Sequence, residues 1–417
     1  MQVKTILNRV QKFKSFVYGE VRWEQSDDKP ILVIDVWPRR NSRPICSGCR
    51  RRGSVYDRLD VRLFEFVPLW GIAVFFAYLM RRVDCRRCGV KVEAVPWAEG
   101  KQTLTQGYMQ FLAGWARRLS WKEVAEVFRT SWEKVFRSVE WMVDWGLAQR
   151  DLSGVTAIGV DEMLWRKGHE YVTVVYQIDT HAKRLLWVGP DRTLATLYRF
   201  FREFGEDRTR ELKFICSDMW KAYLRVIATK APQALHVLDR FHIASHMNKA
   251  IDQVRAEEAR DLRAKGHEPV LKHSRWCLLK RAENRTEQQW AKLADLVRYN
   301  LKTVRSFLLK EDFQFFWEYS SPHWAGQFLD DWCAQTMRSR IDPMKKVARM
   351  LRSHRDLLLN WFRADKQISA GVVEGFNNKA KLTMRKAYGF RTFRATEIAL
   401  YHTLGALPEP ETTHKFC

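Results

Sequence analysis

The sequence predicts an α/β protein in which a strand-rich block is followed by a long helical insertion and by closing helices. Three observations predict it. Between Thr156 and Phe241, short runs rich in β-branched and aromatic residues alternate with turns. These runs are Thr156 to Val160, Tyr171 to Asp179, Arg184 to Val188, Leu212 to Ser217 and Ala234 to Leu238, with one helix near Leu194 to Phe204. Residues 244 to 362 hold no strand-like run and carry Trp and Phe at helical spacing among charges, and a last helical block runs from Val372 to Leu404.

A chain of 417 residues exceeds what one hydrophobic core organises, so several structural units are expected. The 46% hydrophobic content excludes a disordered chain. The 72 Lys and Arg against 48 Asp and Glu leave a formal charge of +24 distributed along the whole length, which points to a polyanion and specifically to nucleic acid. The apolar stretch from Leu69 to Met80 is too short to cross a bilayer and ends in Arg81 and Arg82, so no membrane partner is expected. Met1 to Arg22 lacks the apolar core of a signal peptide, and a cytoplasmic, nucleoid-associated location follows. In a reducing compartment the eight cysteines read as metal ligands or buried thiols rather than disulfides.

Residues 1 to 100 carry strand-like runs, Ile31 to Trp37 and Ala73 to Met80, among arginine-rich turns. Cys46-Ser-Gly-Cys49 and Cys85-Arg-Arg-Cys88 have the spacing by which one tight turn aims two thiolates at a single tetrahedral ion. Together they predict one structural Zn²⁺ in a ribbon whose flanking arginines rest on phosphates. Cys216, Cys277, Cys333 and Cys417 are isolated and read as buried.

From Thr103 to Arg150 apolar residues recur three and four apart. Ser120-Trp121-Lys122-Glu123 has the form of a capping box, and two short helices are expected near Trp121 to Phe128 and Ser131 to Val143. The arrangement resembles a helix-turn-helix, with Lys134 and Arg137 on the helix that would enter the major groove. Its turn departs from the usual pattern, with Arg129 where glycine is common.

Asp161 follows the run Thr156 to Val160, and Asp218 follows Leu212 to Ser217, so two carboxylates stand at strand ends where they can face one cleft. Glu374 opens a late helix with Asn378, Lys381 and Arg385 at i+4, i+7 and i+11, a carboxylate continued by a cationic stripe. Between Gly375 and Arg394 there are no acids, and aromatic residues are interleaved with the bases, which suits a DNA backbone. Oxygen ligands suit hard divalent cations, and two Mg²⁺ (or Mn²⁺) per active site serve phosphodiester cleavage and strand transfer. Arg166 and Lys167, with His169, are candidate phosphate contacts; Asp239 and His242 are candidates to position DNA or to orient a metal ligand. Glu162 is expected to point away from Asp161 on the strand pleat. Trp276, Trp290, Trp317, Trp324 and Trp332 read as core.

Several segments, taken together, resemble insertion-sequence transposases of the ISL-three group. They are Gly159-Val160-Asp161-Glu162, Arg166-Lys167-Gly168-His169, Ser217-Asp218-Met219, Asp239-Arg240-Phe241-His242, and Val373-Glu374-Gly375-Phe376-Asn377-Asn378-Lys379 through Arg385-Lys386-Ala387-Tyr388-Gly389-Phe390. The resemblance covers nearly the whole chain. It implies an RNase-H-like catalytic domain with the triad Asp161, Asp218 and Glu374, interrupted by a helical insertion before the glutamate. It also implies double-stranded DNA, as transposon ends and target, for partner, and a homodimer for paired-end cutting.

The expected organisation is a zinc-ribbon DNA-binding domain over 1–100, a helix-turn-helix over 101–150, the first part of the catalytic domain over 151–243, an α-helical insertion over 244–362, final catalytic helices over 363–405 and a tail over 406–417. Two other classes share parts of this pattern: a catalytically inactive zinc-containing DNA-binding regulator, and a structure-specific nuclease.

Overall fold

The computed structural model describes residues 3–26, 29–166, 168, 170–367, 371–387 and 389–411. Of the residues singled out above, Lys167, His169, Tyr388 and Cys417 lie outside these. The chain divides into two compact units, Met1–Asp151 with Ala380–Cys417, and Leu152–Lys379. Among the described residues no helix is long and apolar enough to cross a membrane.

The first unit opens with α1 (Val3–Val10), then β1 (Phe16–Ser26), β2 (Lys29–Pro38), β3 (Ser54–Leu69), β4 (Ile72–Cys85) and β5 (Gly89–Val92). They form one sheet of order β1-β2-β4-β3 with β5 also on β4; β2 and β4 are parallel and the other pairs antiparallel. One face buries Phe16, Tyr18, Phe76 and Tyr78 around Trp97. Trp70 and Gly71 both have positive φ, as the tight hairpin between β3 and β4 requires. Inside the sheet, Glu93 and Arg81 form a buried ion pair at 2.8 Å, and the Tyr78 hydroxyl donates to the same carboxylate.

Three helices follow, α2 (Gln106–Ala116), α3 (Trp121–Val127) and α4 (Trp132–Gln149). The capping box is formed: the Glu123 N–H donates to Ser120 Oγ, and the Ser120 N–H to the Glu123 carboxylate at 2.7 Å. Ala125 and Val135 are buried. Arg129 takes φ +52°, the left-handed conformation that makes glycine common at that place.

The second unit is mixed α/β, as expected. Its sheet contains β6 (Ala157–Arg166), β7 (Glu170–Ile178), β8 (Lys183–Pro190), β9 (Phe214–Ser217) and β10 (Leu235–Leu238), in the order β10-β9-β6-β7-β8. β6, β7 and β8 are antiparallel neighbours, while β9 and β10 run parallel to β6. Between strands lie α5 (Leu194–Phe204), α6 (Glu206–Glu211) and α7 (Lys221–Lys230). Leu197, Phe200, Phe201 and Phe204 recur at i, i+3, i+4 and i+7, so α5 presents one apolar stripe; these residues share a core with Ile158, Val160 and Tyr223.

From α8 (Arg240–Ala264) the chain is helical, through α9 (Arg275–Leu279), α10 (Glu287–Val297), α11 (Lys302–Phe313), α12 (Pro322–Arg338), α13 (Asp342–Ser353) and α14 (Arg355–Arg363). α15 (Gly371–Lys386) and α16 (Phe393–Leu404) close the chain. The tryptophans of this region divide: Trp332 is buried, but Trp276, Trp290 and Trp324 are exposed, which corrects the expectation that all five are core. Helical periodicity alone does not distinguish an aromatic that packs inward from one that lies flat beneath a cation, as Trp290 does beneath Arg285. Cys216, Cys277 and Cys333 are buried, as expected.

Candidate active site and cysteine metal centre

Asp161 is not at the end of its strand: β6 continues to Arg166, and Asp161 pairs with Val174 of β7. What ends is the neighbour on the other side. The β6–β9 ladder stops at Gly159 opposite Cys216, and β9 itself stops at Ser217 opposite Leu238. Continued by two residues, this register puts Asp161, Asp218 and Asp239 in one row across β6, β9 and β10, at the C-terminal ends of the two parallel neighbours. Residues in register share a face of the sheet.

The fourth acid arrives on α15. A Cβ on Gly159 would lie 2.4 Å from Cγ2 of buried Val373, so the bare backbone of β6 is what lets α15 lie against it. Glu374, the next residue, lines a cleft of about 380 Å³ with Asp239, Arg240 and Phe241.

The three aspartates are held. Asp161 accepts the backbone N–H of Glu162 on Oδ1 at 2.7 Å and the Asn377 side-chain amide on Oδ2 at 2.5 Å. The Tyr176 hydroxyl donates to Asn377 Oδ1 at 3.0 Å, and its ring stacks on Phe376. Asp218 accepts the Trp220 N–H at 3.0 Å. Asp239 caps α8 by accepting the Phe241 N–H at 2.7 Å and stands 3.8 Å from His242. Glu162 points to Arg192, which it meets at 2.8 Å.

Burial raises the Asp161 carboxyl above the usual range, and the charge of Asp218 adds to this against the Glu162 N–H, His242 and Asn377. Burial likewise raises Asp239, with Asp161 and Glu374 adding to it against the Phe241 N–H and His242. Among the described residues, Asp161, Asp218 and Glu374 form no ion pair with Lys or Arg. Negative charge is thus gathered around buried Asp161 with no ion pair to neutralise it among the described residues, which fits a metal ion. The three do not close into a cage around one ion: among the described residues only the four N-terminal cysteines bring their ligand atoms within 4.8 Å of one another.

Those cysteines show how paired knuckles are made. In each, the residue after the second cysteine is left-handed, Arg50 at φ +58° and Gly89 at +69°. Cys49 and Cys85 Sγ are 3.5 Å apart, close to the ~3.8 Å that a tetrahedral Zn–S site implies. A Cβ at Gly48 would come within 3.2 Å of Cys88 Sγ. The backbone N–H groups of Arg87 and Cys88, and then Cys49, draw the Cys85 thiol down to about 6; hydrogen bonding to Cys49 pushes Cys88 up to about 12. Four thiols so placed form a group that can hold a metal ion, and the chemistry suits zinc.

The remaining candidates are dispersed. Lys134 forms an ion pair with Glu65 at 2.6 Å, while Arg137 is exposed on α4. Arg166 lies 3.8 Å from Glu170 and over the Trp165 ring. His242 faces the acids, its charge acting on Asp161 and Asp239. Asn378, Lys381 and Arg385 are exposed along α15. Sequence reasoning missed Asn377 by choosing its neighbour. Asn377 shares the helical stripe of Val373, Ala380 and Met384, and that apolar spacing was the signal that could have marked it as inward-facing.

The family model for ISL3-type DDE transposases, described as transposase, matches residues 158–400, and the chain belongs to this family of insertion-sequence transposases. Among similar proteins, the transposase for insertion sequence element IS1001 of Bordetella parapertussis is 28% identical, covering 90% of this chain and 92% of its own length. The transposase for insertion sequence element IS1557 of Mycobacterium tuberculosis is 29% identical, covering 92% of this chain and 91% of its own.

Proposed function

We propose that Asp161, Asp218 and Glu374 are the catalytic triad of an RNase-H-like domain and hold two divalent cations, Mg²⁺ or Mn²⁺, for cleavage of the element's ends and strand transfer into a target. The observation that carries this is the acid row of β6, β9 and β10 meeting the helix that Gly159 admits onto the sheet. When bound, such a metal pair makes an attacking water or 3′-hydroxyl more acidic and stabilises the leaving oxygen. The chain's own part is orientation. The Asn377 amide and the Glu162 N–H fix the Asp161 carboxylate, and Asp239 with His242 adjusts the charge behind it.

The same reading assigns the other parts. The cysteine group is a ribbon holding one structural Zn²⁺. α3 and α4, with their capping box and left-handed Arg129, are a helix-turn-helix that presents Arg137, with Lys134 beside it, to double-stranded DNA. Arg166, Lys167, His242, Asn378, Lys381 and Arg385 meet DNA phosphates. The six-part organisation set out from the sequence is the functional plan of this proposal, and two chains act as a homodimer on paired ends.

The test is a joining assay with the purified chain, labelled duplex bearing the element's own ends, a target plasmid and Mg²⁺. Joined product is expected from the wild type. Asp161→Asn, Asp218→Asn and Glu374→Gln should each lose more than the ~10–100-fold typical of outer-sphere changes. Cleavage without joining would make the protein a nuclease; DNA binding with neither would make it a regulator.

A further inference from the structure

Beside Glu374 the cleft wall is cationic and aromatic. The Arg240 guanidinium lies 4.4 Å from the ring centre of Trp317 and 4.5 Å from that of Trp361, two rings set at 88° to each other. Lys366 is anchored on the carbonyls of Trp317 and Glu318 and lies over the Trp361 ring. Arg281 lines the same cleft and is exposed. Among the described residues none of these three cations forms an ion pair, although Asp239 and Glu374 line the same cleft. An arginine held against two indole rings, with no carboxylate partner among the described residues, keeps N–H groups for bonding, which suits a phosphate.

The cleft does not stop there. Phe241, Ala244 and Arg281 also line a second cleft of about 640 Å³ along α8, whose wall carries Lys249 and Arg275 together with Asp252, Glu283 and a Lys310–Glu311 ion pair. The two clefts share Phe241, Ala244 and Arg281, and this common wall marks a path from Glu374 into the helical insertion. Phe241, at the junction, leaves 51% of its surface exposed, an apolar ring with no core to join.

We propose that this path binds the sugar–phosphate backbone of an unpaired DNA strand passing Glu374, with Arg240 and Arg281 taking phosphates and Phe241 taking a base. Unpaired DNA is recognised by this combination of cations that follow the backbone and aromatic rings that stack on bases. The inference rests on the reading of Glu374 as part of the DNA-cutting site, but it is tested without cutting.

Binding is measured by fluorescence anisotropy without chelator and without added Mg²⁺ or Mn²⁺, with a blunt duplex and with the same duplex carrying a short single-stranded tail, across a range of salt concentrations. Arg240→Gln and Arg281→Gln are each expected to weaken binding of the tailed duplex about threefold to tenfold. Each should also reduce the log–log salt slope by about 0.7, the release expected for one single-strand phosphate contact. Blunt duplex binding should be unchanged, and Arg240→Lys should recover part of the loss. Arg281 is exposed on a different segment from Arg240, so its variant reports on the path even if Arg240→Gln unfolds. Unchanged affinity and slope in the Arg281 variant, or equal losses on both duplexes, would overturn the proposal. Loss of joining in Asp161→Asn with tail binding intact would leave it standing, because the two readings fail separately.

Discussion

Asn377 donates its side-chain amide to Asp161 across 216 positions of chain, and it is itself oriented by the Tyr176 hydroxyl. A buried amide with one partner on the sheet and one on the acid fixes the rotation of that carboxylate. Asn377→Ala should therefore lower single-turnover cleavage by ~10–100-fold while leaving DNA affinity within about twofold. Tyr176→Phe, which removes only the outer link, should cost less. If Asn377→Ala cuts at the wild-type rate, the hydrogen bond has no part in orienting Asp161.

The contact between Gly159 and Val373 gives a prediction about the packing beneath the site. Gly159→Ala would put a methyl 2.4 Å from Val373 Cγ2, and α15 must shift to admit it. Cleavage should fall by about tenfold or more, as small misplacements of catalytic groups do. The double change Gly159→Ala with Val373→Ala restores the space and should recover most of the rate. No recovery in the double variant would mean that the glycine matters for some other reason.

For the cysteine centre, metal analysis of the purified chain should find about one zinc per chain. Cys85→Ser should remove it and lower the melting temperature of the N-terminal part, and a strong chelator should reproduce the loss. Zinc retained by Cys85→Ser would exclude this site.

Acid sensitivity follows from His402. Burial, and then the charges of Arg117 and Lys386, push this imidazole down to about 3, and its Nε2 has no hydrogen-bond partner among the described residues. Its folded pKa is below the unfolded value of about 6.5, so the unfolded chain binds the proton first. The stability it contributes is complete above about pH 6.5 and is lost as the pH falls towards about 3. Denaturant unfolding at a series of pH values should show His402→Leu with an acid limb shallower by about one proton. Parallel curves for the two proteins would contradict the assignment.

The legible parts of this molecule are those in which local pattern and tertiary environment agree. α5 runs from Leu194 to Phe204, as its apolar spacing predicts, and β6, which carries Asp161, and β9, which Asp218 follows, are recognisable because they are buried runs. β3 is not among the strand-like runs the sequence offers, since its first half alternates Arg and Asp with apolar residues and the structure leaves it exposed. Its pairing with β4, more than its own composition, makes it a strand. Arg129 was marked as a departure from the usual turn; the turn is made all the same, with a non-glycine residue in the left-handed region. The row from Asp161 through Asp218 to Asp239 was only partly visible, because register between β9 and β10 is a property of pairing that no single strand encodes.

The separation of the acids along the chain also orders events during synthesis. β6 leaves the ribosome before the helical insertion, and α15 follows only after it. If Glu374 is the third ligand, a nascent or prematurely terminated chain can carry the cysteine ribbon and most of the basic surface while lacking the means to break a phosphodiester. Translation through the whole insertion becomes the condition for a chain that can damage DNA.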